Sequence, residues 1–115
     1  MINQKSIEAV HASMFSKSFR KPLYESYCFA NIPGTLEKVL SGSTDLTTLP
    51  ADTLLQTDKT YDTVVLFMVD AFGWRFFDRY QDQYPTLKRF IADGKVSKIT
   101  SQFPSTTAAH VTAIH

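Results

Sequence analysis

Apolar residues recur at three- and four-residue spacing near the start of the chain, at Ile7, Val10 and Met14, with Phe15 beside them. That spacing predicts a helix with one apolar face within Ile2 to Phe19. A short aromatic stretch, Tyr24 to Ala30, follows. Pro33 then suits a first helical turn, Leu36, Val39 and Leu40 form a brief stripe, and Gly42 closes it. The expectation is a second helix from about Pro33 to Ser41. From Ser43 to Thr60, Ser, Thr, Asp and Pro are frequent, and Leu46, Leu49, Leu54 and Leu55 are scattered anchors without a period. This stretch reads as a connector over the surface.

The pattern changes at Tyr61. Tyr61 to Asp70 reads YDTVVLFMVD, a continuous β-branched and aromatic run. Such a run is typical of a strand buried on both faces of a parallel sheet. After Gly73, Trp74 to Tyr84 mixes aromatics with charges. Pro85 opens a helix through Leu87, Phe90 and Ile91 that Gly94 ends, and Val96 to Thr100 reads as a short second strand. Strand, helix and strand in this order imply a right-handed crossover between parallel strands. Phe103 and Pro104 turn the chain, and Ser105 to His115 begins a further helix. The fold expected is α/β: residues 1–60 form an N-terminal helical extension and connector, and residues 61–115 a βαβ unit that starts a sheet. Two strands with exposed edges cannot bury a two-sided core. The sequence also stops inside a helical pattern, so an incomplete domain is expected.

Composition narrows the function classes. Of the 115 residues, 43% are hydrophobic and 20% charged, with a formal charge of +1, which is ordinary for a globular protein of at most one domain. The interspersed charges offer no basic stripe, so no nucleic-acid partner is indicated. The longest apolar run, Val64 to Val69, is far shorter than the roughly 20 residues that span a bilayer, so no membrane partner is expected. The charged start lacks a signal core, which predicts a cytoplasmic location. Cys28 is the single cysteine, so neither an internal disulfide nor a thiolate metal cluster is available, and a small buried side chain is expected there.

In open α/β sheets ligands collect at the carboxyl ends of strands. Asp70 ends the first strand, and Thr107 follows the second. A carboxylate at a strand end is a hard oxygen ligand suited to a divalent cation, or else a cap for the next turn. Ser105, Thr106 and Thr107 stand at a helix start, where free N–H groups and the helix dipole attract an anion. A Thr hydroxyl is a weak nucleophile, but a metal held partly by Asp70 would lower its pKa. One of the three hydroxyls must serve as ordinary N-cap. His110, three residues after Thr107, shares its helix face and is a weaker candidate for a hydroxyl–imidazole pair. His110 and His115 lie about 500° apart around a helix axis, a poor metal pair. Trp74, Phe76, Phe77, Tyr80 and Tyr84 read as packing rather than a base-stacking platform. Gly94-Lys95 lacks the earlier glycine of a phosphate loop, since Arg89 stands there.

The segments VVLFMVDAFGWRFF, YPTLKRFIADG and SQFPSTTAAHVTAIH, taken in order, resemble the type I phosphodiesterase and nucleotide pyrophosphatase branch of the alkaline phosphatase superfamily. The resemblance covers about half the chain. It implies an alkaline-phosphatase-like parallel-sheet sandwich and a metal-dependent hydrolase of small phosphate esters. Asp70 matches the family's strand-end metal ligand, and Thr107 matches the Thr of its Pro-x-x-Thr segment, which is both nucleophile and metal contact. Two divalent ions, usually zinc, are implied, with the remaining Asp and His ligands beyond this stretch, which should therefore be inactive alone. In that mechanism Thr107 attacks phosphorus, forms a covalent intermediate and is released by water at the metal site. Two departures stand out: the family commonly has Gly where Ala71 stands, and often Phe-Pro-Asn where Ala108, Ala109 and His110 stand. Ser105 and Thr106 rank second as site residues. The same strand and nucleophile turn would also serve a phosphomutase, sulfatase or phosphonate hydrolase. A non-catalytic interaction module, with Thr107 as a helix cap and Asp70 as a turn cap, is the reading from another class.

Overall fold

Asn3 begins the first helix by accepting the Ser6 backbone N–H at 3.2 Å, so a short polar side chain replaces a missing helical acceptor. In the computed structural model, which describes residues 1–56 and 59–115, five α-helices form among the described residues. They are α1 (Gln4–Ala12), α2 (Ile32–Ser41), α3 (Trp74–Tyr80), α4 (Pro85–Asp93) and α5 (Thr107–Ile114). The first helix stops well before Phe19. The Ser13 hydroxyl donates to the Val10 carbonyl at 2.8 Å, and Met14 turns back to bridge Arg20 in antiparallel fashion. Serine side chains here compete with helical bonding, and Phe15 is left 84% exposed.

The second helix follows its sequence signals closely. A 3-10 turn, Phe29–Asn31, leads into it, Pro33 sits in its first turn, and Gly42 ends it at φ 87°, donating its N–H to the Lys38 carbonyl at 2.8 Å. Only glycine takes that left-handed conformation without strain. Gly34 is needed for a different reason: a Cβ there would lie 2.4 Å from the Thr47 carbonyl oxygen. The connector after α2 includes a 3-10 turn, Ala51–Thr53. Residues 57 and 58, which the sequence assigns to that connector, lie outside the described residues.

The interior is unusually polar. Val10, Tyr27, Cys28, Phe77 and Leu87 are its buried apolar residues, and Asn3, Ser6, Asn31, Thr35, Thr53 and Thr100 are equally buried. Burying such groups is tolerable only when each finds a partner. They do. Asn3 Nδ2 lies 2.9 Å from the Asp52 carbonyl oxygen and 3.1 Å from Ser97 Oγ, and Tyr27 donates its hydroxyl to both Asp52 carboxylate oxygens at 2.9 and 2.8 Å. Ser6 Oγ accepts from the Lys98 amide at 2.9 Å, and Thr35 Oγ1 accepts from the Leu49 amide at 2.8 Å.

Two expectations for residues 61–115 come out differently. Val96 to Thr100 is extended and paired, but with the N-terminal segment: Val96 bridges Ile2 and Thr100 bridges Cys28, both in parallel sense. Tyr61 to Asp70, read as the buried first strand, pairs with no strand among the described residues, and every residue in it is exposed, with Val65, Phe67 and Val69 at 69%, 84% and 68%. The physical reason is a shortage of neighbours. A strand that is apolar on both faces is satisfied only between two others, and the other expected strand, at residues 96–100, bridges the N-terminal segment instead. The expected βαβ unit thus shows its helices, α3 and α4, without pairing between residues 61–70 and 96–100 among the described residues. The aromatics of α3 and its flanks pack on one another, with ring centroids 5.2 Å apart for Phe72–Phe76 and 4.6 Å for Phe76–Tyr80. No helix among the described residues is long and apolar enough to cross a membrane.

Candidate functional site around Asp70 and Thr107

Asp70 ends the apolar run at a turn. Its Oδ1 accepts the backbone N–H of Ala71 at 2.9 Å, and Ala71 sits at φ 59°, in the left-handed region. The carboxylate is thereby held at the rim of the turn, facing solvent. The other half of the site is the start of α5. Thr106 takes the N-cap, its hydroxyl oxygen accepting the Ala109 N–H at 3.3 Å. That assignment releases the neighbouring hydroxyl for something else. Thr107 Oγ1 donates towards Asp70 and lies 3.2 Å from both carboxylate oxygens.

The two residues singled out from opposite ends of the expected βαβ unit therefore face each other. Ser105 is exposed beside them. His110 turns away from the pair: its Nδ1 lies 2.6 Å from the Thr106 carbonyl oxygen, and its ring stands edge-on to Phe29, centroids 4.4 Å apart. Among the described residues no hydrogen bond joins His110 to Thr107.

The donor set can be weighed against a metal. A carboxylate and a hydroxyl converge within 3.2 Å, both hard oxygens of the kind divalent cations prefer. Among the described residues no group of three His, Cys, Asp or Glu forms a cluster that could hold a metal ion. The pair fits as part of a metal site rather than the whole of one. The first turn of α5 adds a second electrostatic feature, because its leading N–H groups precede the first helical bond, from His110 N to the Thr106 carbonyl at 3.1 Å.

A cavity of about 430 Å³ lies elsewhere, lined by Leu36, Val39, Leu54, Tyr61, Val64 and Lys95 among others, and neither Asp70 nor Thr107 reaches it. Lys98 lies over the Trp74 ring at 5.4 Å. Burial, and then the neighbouring Arg20 and Arg75, pull its pKa down, with Asp78 opposing them.

What the sequence did not signal is the role of residues 23–31. They carry no recognisable motif, yet they make the bonds that hold the chain leading into α5. Leu23 N donates to Thr100 Oγ1 at 3.0 Å, Phe29 N to the Thr100 carbonyl at 2.9 Å, and Phe103 N to the Tyr24 hydroxyl at 3.0 Å. Only the aromatic density of Tyr24 to Phe29 hinted that the stretch packs against something.

Comparison with protein-family models gave a match over residues 64–114, to type I phosphodiesterase / nucleotide pyrophosphatase. The match spans 51 of the 115 residues, a little under half of the chain, as a fragment of that family would. Its general activity is hydrolysis of phosphate esters. The matched segment contains both Asp70 and Thr107, and leaves residues 1–63 outside the match. Comparison with curated proteins and with solved structures gave no match.

Proposed function

We propose that the chain is part of a metal-dependent hydrolase of small phosphate esters, of the phosphodiesterase and nucleotide pyrophosphatase kind, with Thr107 as nucleophile and Asp70 and Thr107 as metal contacts. The observation that supports it most is the approach of Thr107 Oγ1 to both oxygens of Asp70, inside the segment that matches the family. Asp70 orients the hydroxyl by accepting its hydrogen bond, so the oxygen lone pairs are left free to meet phosphorus. The N-terminus of α5 favours the negative charge of the ester beside that oxygen. A divalent cation held in part by Asp70 and Thr107 would lower the hydroxyl's pKa and offset charge on the phosphate. Two ions of the zinc kind, with further ligands outside residues 1–115, are part of this reading.

The apolar run Tyr61 to Asp70 then has a place as a strand of an alkaline-phosphatase-like parallel sheet, completed by further polypeptide. Residues 1–115 alone are expected to be inactive, and a cytoplasmic location goes with the reading. The test is turnover of an aryl phosphodiester and an aryl phosphomonoester by the natural full-length protein, with and without chelator. Chelator is expected to abolish activity. Thr107→Ala is expected to lower kcat by about a thousandfold or more with its unfolding midpoint unchanged, since it removes a nucleophile and little packing. Substantial turnover by that variant would remove Thr107 from the nucleophile role.

A further inference from the structure

We infer that residues 24–31, outside the segment that matches the family, are a positioning bracket for the Thr107 turn, with Phe29 and Tyr24 its working side chains. The inference rests on the reading of Thr107 as nucleophile.

Thr107 is exposed, and its own hydroxyl contact is to the exposed Asp70. Something else must therefore fix the helix start, because a nucleophile displaced by about 1 Å can lose a hundredfold in rate. The fixing contacts trace back to 24–31. Cys28, fully buried, bridges Thr100, and the Tyr27 carbonyl accepts from the Thr100 amide at 2.8 Å and from its hydroxyl at 3.1 Å. That clamps the chain six residues before the N-cap. Tyr24 holds it closer, through the Phe103 amide. Asn31 keeps this loop in shape by donating to the Tyr24 and Ser26 carbonyls at 2.8 and 2.7 Å, and is itself 3% exposed.

Phe29 reaches the helix itself. Its ring packs edge to face against His110, and the His110 Nδ1 lies on the carbonyl of Thr106, the residue before Thr107. α5 also packs against the Phe29–Asn31 turn and against α2. The path Phe29, His110, Thr106 therefore ends on the peptide that carries the Thr107 nitrogen. His110, weak as a catalytic partner, has work as a relay of position. An edge-to-face aromatic pair is worth up to about a tenfold change in an opening equilibrium. The bracket is thus a positioning device and makes no contact with the reacting atoms.

The test uses the natural full-length protein carrying Phe29→Ala, Phe29→Tyr or Tyr24→Phe. Hydrogen exchange is followed in peptides from α1, from α4 and across residues 102–112, and kcat and KM are read with an aryl phosphodiester. In Phe29→Ala, exchange across 102–112 should quicken by about tenfold with α1 and α4 unchanged. Its kcat should fall by about tenfold or more with KM within about twofold. Phe29→Tyr keeps the ring and should restore both. Tyr24→Phe removes one exposed hydroxyl without threatening the fold, and should show the same pattern weakly. Unchanged exchange across 102–112, a uniform rise in all three regions, or an unchanged kcat beside a dead Thr107→Ala control would each overturn the bracket. Retained turnover in Thr107→Ala would instead sink the nucleophile and, with it, the positioning role, even where the exchange change is seen.

Discussion

Residues 61–70 and the set formed by residues 1–31, Asp52 and 96–100 make opposite use of their chemistry. The first is the most apolar stretch of the chain and is exposed along its whole length; the second is threaded with Asn, Ser, Thr, Tyr and Asp side chains and holds most of what is buried. The difference lies in partners. Asn3, Tyr27, Asp52 and Ser97 satisfy one another across long stretches of sequence, so a polar interior costs little. Val65, Phe67 and Val69 need neighbouring strands that the described residues do not provide. Hydrophobic patterning thus states what a segment requires, and contacts made far along the chain decide whether it gets it.

The sharpest way to break this comparison is to delete one member of each region in the 115-residue chain. Asp52→Ala leaves the Tyr27 hydroxyl, on a residue 8% exposed, without its acceptor, and takes a carboxylate from Asn3. The expected loss is about 1.5–3 kcal/mol in urea unfolding, the range for hydrogen bonds to a charged group. Phe67→Ser, at a side chain 84% exposed, should change stability by no more than about 0.5 kcal/mol. A Phe67→Ser variant that loses more than Asp52→Ala would mean the apolar run is covered in solution.

A smaller effect follows from acid–base linkage at the same contact. Burial, then the hydrogen bond to Asp52 and its negative charge, push the Tyr27 hydroxyl from its ordinary pKa near 10 up to about 12. The folded state keeps the proton that the unfolded chain gives up above pH 10. The stabilisation is therefore complete below pH 10 and declines as pH rises towards 12. Lys98 runs the other way, since its lowered pKa favours the folded state once it is neutral. The difference between wild type and Tyr27→Phe isolates the tyrosine. Between pH 9 and 11.5 the wild-type urea midpoint should fall relative to that of the variant, and parallel curves would show that the Tyr27–Asp52 contact does not form.

Much of this was legible in the residues and some was not. Pro33, Gly42, Pro85 and Gly94 mark helix ends through backbone chemistry that acts locally, and α2 and α4 fall where those residues put them. Two strand ends and a resemblance single out Asp70 and Thr107, and the structure adds that their side chains lie 3.2 Å apart. Apolar spacing continues through Met14, but α1 ends at Ala12, where the Ser13 hydroxyl takes the Val10 carbonyl at 2.8 Å. The strand pairing of Val96 to Thr100 with Ile2 and Cys28 was not legible, because neither partner carries a strand pattern and the bonds run through backbone. Buried polar networks leave no period to read.

A further small effect sits where the exposed run meets the candidate site. Ala71 holds φ 59°, a conformation that costs a non-glycine residue about 1–2 kcal/mol, while its N–H is tied to Asp70 Oδ1. Glycine would relieve that strain but give the unfolded chain more freedom, which costs back about 0.4–1 kcal/mol. Ala71→Gly should therefore raise stability by no more than about 1 kcal/mol, and Ala71→Val, whose branched side chain fits this region worst, should lower it. Urea midpoints of the two variants, set against wild type, decide the point. Opposite signs would mean that the turn holding Asp70 is set by backbone strain and one amide bond, so that even beside an unpaired strand the carboxylate is locally placed. A loss in Ala71→Gly would mean that the left-handed turn is not what holds Asp70 against Thr107.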